Sequence, residues 1–229
     1  MPLCVNLCKQ CWNRDEPAPA GDIVSGEFAK AGNEYYISYM RNLITPYNPE
    51  WKQEFERLGA VLRTSLKDPE IDIRHVGSTS VPGLHAKPIL DIDLVIHDKS
   101  SLDRISRILI SLGYIGRGDQ GVPGRFAFRQ SSPQTPVVTG GEKWQEHHLY
   151  VCFSDSLALK NHIIFRDSLL RNGDLVKEYS KLKMDLVNQK GMTREQYTIQ
   201  KTGFILDVLT SNGLSENELN EIKMANTGI

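Results

Sequence analysis

The sequence predicts an α+β fold, in which helices flank a β-sheet core and the C-terminal helices pack on it. Two observations lead to this prediction. The strand-like segments all fall between residues 71 and 153, and residues 159 to 208 carry three successive helical patterns. A chain of 229 residues can bury a core of its own, and its 40% apolar and 24% charged residues are typical of a globular protein.

Caps and apolar spacing mark the helical segments. In the first, Asn48 is a plausible N-cap with Pro49 at the first helical position. SLDRISRILISLGY predicts an amphipathic helix that ends at Gly113, and the last helix begins at a capping box formed by Thr193 and Gln196. Apolar residues recur at helical spacing in the first segment: Trp51, Phe55, Leu58 and Leu62.

Four short segments predict strands because β-branched and aromatic residues are concentrated in them. They are the alternating run 71–75, ILDIDLVI at 89–96, RFAFR at 125–129 and HHLYVCF at 147–153. The turn-rich SSPQTPVVTGGEK between the last two predicts an exposed loop.

The chain divides into three predicted parts. Residues 1–40 contain several prolines and glycines and little apolar periodicity, which predicts a flexible or loosely packed extension. Residues 41–212 form the predicted domain. Residues 213–229 are a polar tail with one helical turn near 215–218.

Charge and hydropathy limit the partners. A net charge of −1 gives no strong signal for nucleic acid or for an anionic membrane. No window approaches the ~18 apolar residues of a membrane span, and the first twenty residues lack a secretory pattern. The cytoplasm is the default expectation.

The cysteines suggest two interpretations. Cys4, Cys8 and Cys11 have the C-x3-C-x2-C spacing of the cluster-binding loop of radical S-adenosylmethionine enzymes. A Pro/Ala/Gly-rich segment follows them instead of a repeating barrel pattern, which favours adventitious zinc or an inert end. Cys152 lies in an apolar strand and is predicted to be a small buried hydrophobe.

Two acids on one strand are the strongest functional signal. Side chains alternate along a strand, so Asp91 and Asp93 point the same way and repel each other unless a cation lies between them. Mg²⁺ or Mn²⁺ would remove this repulsion, because such ions accept one or two carboxylates together with phosphate oxygens and water. The alternative is that both acids lie on the solvent-exposed face of an edge strand.

A phosphate-binding signal precedes the two acids. Gly77 lets the backbone approach a phosphate closely, Ser78 offers a hydroxyl, and Lys87 supplies a positive charge. A Gly-Ser pair alone is a common turn. The combination of strand, Gly-Ser, twelve residues and an apolar-flanked D-x-D is more specific.

This combination resembles the signature of the nucleotidyltransferase superfamily, which has the polymerase-β-like fold. GSTSVPGLHAKPILDIDLVI is similar to the hallmark of the GrpB family, and the resemblance extends from about residue 43 to residue 210. It continues through YNPEW, LGY, RFAF, HHLYV, FRDSLL, EYSKLKMDL and YTIQKTGFI. It implies a nucleotidyltransferase-like mixed sheet, nucleotide binding at Gly77, Ser78 and Thr79, and metal binding at Asp91 and Asp93. No substrate comes with it.

One expected group is missing. Transferases of this fold usually carry a third carboxylate on a neighbouring strand, where it takes the proton of the attacking hydroxyl. That strand should be HHLYV, which contains no acid. The family resemblance implies a histidine where this chain has Tyr150. We therefore expect His148 to act as the base, or Glu146 to substitute, or the site to bind a nucleotide without transferring it.

Basic residues from a strand and from a helix complete the candidate nucleotide site. Arg125 and Arg129 share one face of their strand, and either could contact a phosphate. Lys201 lies on the apolar stripe of its helix, where a buried ammonium would need an anion. The alternative for Lys201 is a buried stem with the ammonium in solvent.

The sequence thus predicts a metal-dependent nucleotidyltransferase that uses a nucleoside triphosphate and an unknown small-molecule or macromolecular acceptor. The alternative is a nucleotide- or phosphometabolite-binding module without transferase activity. A hydrolase acting on a phosphorylated small molecule through the same metal is a third hypothesis.

Overall fold

Five strands form one mixed sheet in the computed structural model, which describes residues 44–227. The strands are β1 (Asp72–Val76), β2 (Leu90–Ile96), β3 (Tyr114–Gly116), β4 (Arg125–Gln130) and β5 (His147–Phe153). Their order across the sheet is β1-β2-β5-β4-β3. The β2–β5 pair is parallel and the other pairs are antiparallel, so the predicted α+β class with a mixed sheet is confirmed.

The D-x-D strand lies inside the sheet. Strand β2 pairs with β1 on one side and β5 on the other, and all seven of its residues are buried. Asp91 and Asp93 are 6% and 0% exposed. The alternative of two acids on an exposed edge strand is therefore wrong.

Six helices surround the sheet in the described part of the chain. They are α1 (Glu50–Leu66), α2 (Leu102–Ser111), α3 (Leu157–Arg171), α4 (Gly173–Asn188), α5 (Arg194–Ser211) and α6 (Glu216–Thr227). The capping box predicted for the last helix is present, whereas the N-cap of α1 is Pro49 and not the predicted Asn48. Asn48 Oδ1 accepts a hydrogen bond from the backbone N–H of Glu50, and Thr193 and Gln196 form the capping box of α5.

The core has two main parts. One lies between the sheet and helices α1 and α2, and it contains Leu62, Ile92 and Leu109, which are fully buried. The other lies among α3, α4, α5 and α6. The candidate site lies where the sheet face meets α4 and α5, because residues from β2, β5 and both helices line the same pocket.

The structure differs from the sequence patterns at two elements. The three residues of β3 pair with β4 at the sheet edge. The predicted polar tail contains α6, whose Ile222 is fully buried in the helical core. Cys152 is fully buried, as predicted. The extension 1–40, with Cys4, Cys8 and Cys11, lies outside the described residues.

Candidate active site

A pocket beside Asp91 brings together most of the residues that the sequence singled out. We call it the Asp91 pocket. It lies between the end of β2 and helices α4 and α5, and its volume is about 80 Å³. Its lining residues are Ile44, Ser78, Ala86, Lys87, Ile89, Asp91, His148, Lys183, Tyr197 and Lys201.

The sheet register determines which histidine meets the acids. Asp91 is the register partner of His148, and the Nδ1–H of His148 donates to Asp91 Oδ1 at 3.1 Å. His147 points to the opposite face, where the Tyr114 hydroxyl lies 2.6 Å from its Nε2. Of the two adjacent histidines, His148 is therefore the one that shares a pocket with Asp91.

Gly77 lies directly against the Asp91 carboxylate. Its φ of +71° is in the left-handed region, and a Cβ at this position would be 2.1 Å from Asp91 Oδ2. Any side chain here would collide with the acid. The glycine that follows β1 thus allows Ser78 to reach the pocket while Asp91 keeps its position.

A buried lysine forms the inner wall of the Asp91 pocket. Lys183 of α4 is 3% exposed, and its ammonium donates to Ser78 Oγ at 3.2 Å and to the carbonyl of His85. Burial, and then the nearby charge of Lys201, lower the pKa of Lys183 well below its ordinary value. An anion in the pocket would reverse this effect, because it would stabilise the charged ammonium.

Two further lysines line the Asp91 pocket. Lys87 and Lys201 are both half-buried, and the Lys201 ammonium lies 5.3 Å from the centre of the Tyr197 ring. Both predicted lysines are therefore in the pocket, and Lys183 adds a third cation. The residues that line the pocket thus include three lysines and one carboxylate, that of Asp91.

Asp93 lies behind the pocket in a buried ion pair. The Nδ1–H of His162, from α3, donates to Asp93 Oδ2 at 2.8 Å. Burial by itself lowers the pKa of His162, but the charge and the hydrogen bond of Asp93 outweigh burial and raise it above 6.5. The other oxygen of Asp93, Oδ1, is buried and receives no hydrogen bond.

Arg125 and Thr79 are also outside the lining of the Asp91 pocket. Arg125 is 1% exposed, stacks over the Tyr150 ring at 4.6 Å, and lines a small separate cavity with Asp91 and His162. Thr79 is buried and donates to the carbonyl of Ile89, while the Nε2–H of His75 donates to Thr79 at 3.0 Å. The hydroxyl of Thr79 thus braces the loop instead of facing the pocket.

The sequence reasoning missed Lys183 and His162. Lys183 lies in EYSKLKMDL on the buried side of α4, and an isolated lysine in an amphipathic helix is usually assigned to solvent. His162 lies in α3, 69 residues beyond Asp93. The available signal for both was a polar residue on the apolar stripe of a helix, the feature that identified Lys201.

No cluster of three or more His, Cys, Asp or Glu side chains in residues 44–227 is arranged to hold a metal ion. The helices of this same part of the chain include none that is long and apolar enough to cross a membrane.

Comparison with known proteins establishes the family. The model of the family described as GrpB protein matches residues 42–211. The chain belongs to the GrpB family. It is 30% identical over 159 residues to the UPF0157 protein YqkA of Bacillus subtilis, covering 69% of this chain and 43% of that protein. It is 32% identical over 166 residues to the UPF0157 protein PA4798 of Pseudomonas aeruginosa, covering 72% and 65%. The chain thus spans less than two thirds of either relative.

Solved structures support the GrpB assignment and the fold. The crystal structure of GrpB from Enterococcus faecalis has a TM-score of 0.60 and 26% identity, covering 78% of this chain and 98% of that one. A mutant of the Cid1 poly(U) polymerase bound to MgATP has a TM-score of 0.51 and 16% identity, covering 80% of this chain and 55% of that one. The GrpB domain therefore has a nucleotidyltransferase-like fold.

Proposed function

We propose that this GrpB protein binds a nucleoside triphosphate at the Asp91 pocket and transfers its nucleotidyl group to an acceptor hydroxyl in a metal-dependent reaction. One observation carries the proposal. Ser78 and the buried ammonium of Lys183 meet Asp91 and His148 in one pocket, so phosphate-binding groups adjoin an acid–base pair.

The Asp91 pocket suits the phosphate end of a nucleotide. Its volume of about 80 Å³ is several times the roughly 10–15 Å³ that a single water requires. That space fits a phosphate group, and the nucleoside would extend outwards. A buried ammonium is costly without a counter-charge, and the two acceptors of the Lys183 ammonium, Ser78 Oγ and the carbonyl of His85, are neutral.

The donor atoms also fit a divalent cation that arrives with the phosphates. Mg²⁺ needs only one or two carboxylates when phosphate oxygens and water complete its shell, so a cage of three protein ligands is not required. Asp91 and Asp93 would hold it, and Asp93 Oδ1 is a buried oxygen without a hydrogen bond. When bound, the ion would neutralise charge that develops on the transferring phosphoryl group.

His148 would take the acceptor proton. Its Nδ1–H donates to Asp91, so Nε2 carries the lone pair of the neutral ring. The acceptor oxygen would attack the α-phosphorus as its proton moves to His148 Nε2, and the bond to the β-phosphate oxygen would break. Pyrophosphate would leave towards Ser78 and Lys183, whose donors would stabilise its charge.

The likeness in fold to the MgATP-bound Cid1 mutant supports this assignment as an analogy between structures. A binding module without transfer is the second candidate. It is favoured by the absence of an acid within β5 and by the ion pair that already occupies Asp93.

Thermal unfolding of the full chain with each nucleoside triphosphate, with and without Mg²⁺, tests the proposal. A ligand at 100 times its Kd stabilises a fold by about 2.7 kcal/mol. We expect a Mg²⁺-dependent shift that Asp91→Asn abolishes and that the exposed Asp103→Asn retains. Pyrophosphate release with candidate acceptors then separates a transferase from a binding module. A wild-type protein that responds to no triphosphate would contradict both.

A further inference from the structure

We propose that a second cavity, on the other side of His148, is the acceptor site, and that Arg129 binds an anionic group of the acceptor there. The acceptor would be a small molecule that carries a hydroxyl together with a carboxylate or a phosphate. This inference rests on the proposed function, because it assigns the second substrate of that reaction.

The cavity, which we call the Arg129 groove, adjoins the Asp91 pocket through a shared wall. His148 lines both, whereas Ser78 and Lys183 line only the Asp91 pocket and Arg129 lines only the groove. The volume of the groove is about 290 Å³, near the lower end of the roughly 300–1,000 Å³ of small-molecule sites.

The sheet register places the two cavities on opposite sides of His148. Asp91, His148 and Arg129 are successive register partners on β2, β5 and β4, and they share one face of the sheet. Neighbouring strands are about 4.8 Å apart, so the backbones of Asp91 and Arg129 are separated by about 10 Å. Ser78 follows β1, beyond Asp91 in the opposite direction.

This arrangement matches the geometry of an in-line displacement. The attacking oxygen approaches the α-phosphorus from the side opposite the leaving pyrophosphate. If pyrophosphate leaves towards Ser78 and Lys183, the acceptor hydroxyl enters from the groove. It then passes the ring of His148, which would take its proton.

Arg129 indicates the chemistry of the acceptor. Its Nε is buried and makes no hydrogen bond, and no carboxylate in residues 44–227 forms an ion pair with it. A guanidinium keeps its charge at any physiological pH, and a buried N–H without a partner is destabilising. A carboxylate or a phosphate can accept two parallel hydrogen bonds from the planar guanidinium.

The remaining walls favour a small organic molecule. Phe128, Trp144 and Tyr150 contribute aromatic surface beside Arg129, and Trp144 is held by a 2.9 Å hydrogen bond from its Nε1–H to the carbonyl of Pro136. The Glu146 carboxylate also lines the groove, so the anionic end of a short carbon skeleton would lie at Arg129, beside the aromatic wall.

Calorimetric titration of the full chain tests the groove without requiring turnover. The probes are lactate, which has a hydroxyl and a carboxylate, glycerol 3-phosphate, which has a hydroxyl and a phosphate, and neutral glycerol. We expect at least one anionic probe to bind the wild type, and the preferred probe identifies the group. Arg129→Gln should weaken that binding at least tenfold, Arg129→Lys should retain part of it, and glycerol should not bind.

Two controls separate this inference from the proposed function. The exposed Arg117→Gln carries the same change of charge and should bind the anionic probe normally. MgATP should bind Arg129→Gln as tightly as wild type.

Equal binding of the anions to wild type and Arg129→Gln, or no binding of either anion, would overturn the anion site. A matching loss of MgATP affinity in Arg129→Gln would assign the groove to the nucleotide instead. Anion binding by a protein that does not bind MgATP would overturn the acceptor role together with the proposed function.

Discussion

Gly77 and Asp91 are in such close contact that a Cβ on Gly77 would lie 2.1 Å from Asp91 Oδ2 and 2.8 Å from its Cγ. The contact joins the turn after β1 to the acid of β2. Because Asp91 also accepts from His148, the position of the turn and the orientation of the imidazole depend on the same carboxylate.

Gly77→Ala should therefore damage both stability and ligand binding. A left-handed alanine costs about 1–2 kcal/mol and overpacking a further 1–3, so we expect a loss of roughly 2–5 kcal/mol in the free energy of unfolding. Gly118→Ala is the matched control, because Gly118 has a φ of +68° and nothing lies within 4 Å of its Cβ position. Gly118→Ala should lose only the about 1–2 kcal/mol that a left-handed alanine costs. Urea unfolding measures both, and equal losses would show that Asp91 yields to the new methyl group.

The buried pair of Asp93 and His162 gives a second prediction. His162→Leu removes the hydrogen-bonded cation and leaves Asp93 fully buried, so we expect a loss of about 3 kcal/mol or more in the free energy of unfolding. Adding Asp93→Asn should recover much of this loss, because the buried charge is then removed. A double-mutant cycle by urea unfolding measures the coupling. Purely additive effects would contradict a direct pair.

The fold and half of the site could be predicted because their signals are local. Alternation placed Asp91 and Asp93 on one face, and the family resemblance pointed to HHLYV as the neighbouring strand, which the pairing of β2 with β5 confirms. Which histidine meets Asp91 depends on the register between strands 57 residues apart, and no local pattern fixes that register. Lys183 and His162 reach the site through the packing of α4 and α3, so their partners are invisible in the sequence of either helix.

Lys183 should contribute to anion binding more than to stability. Replacing it with methionine removes hydrogen bonds worth roughly 1.5–3 kcal/mol each but also removes the desolvation cost of a buried charge, so we expect a small net change in unfolding free energy. Affinity for pyrophosphate should fall about tenfold or more, which is ~1.4 kcal/mol. Lys181→Met, an exposed position on the same helix, should leave it unchanged. Calorimetric titration of each variant with pyrophosphate measures this affinity. Equal affinities in the two variants would show that Lys183 does not bind the anion.

His147 should make the stability of the protein depend on pH below neutrality. Its Nδ1–H donates to the carbonyl of Gln145 and its Nε2 accepts from the Tyr114 hydroxyl, so the fold requires the neutral ring. Burial is the main cause that lowers the pKa of His147 from 6.5 to about 4.

The sign of this dependence follows from proton uptake. Between pH 4 and 6.5 the unfolded chain binds a proton at this histidine and the folded chain does not, so the free energy of unfolding rises with pH by about 1.4 kcal/mol per unit. Acidification through this range should therefore remove up to roughly 3 kcal/mol. His147→Gln should lower stability at pH 7 but flatten the slope, whereas the exposed His97→Gln should leave the slope as it is. Urea unfolding at a series of pH values from 7.5 to 4.5 measures the slope, and an unchanged slope in His147→Gln would mean that the acid sensitivity of the fold arises at other groups.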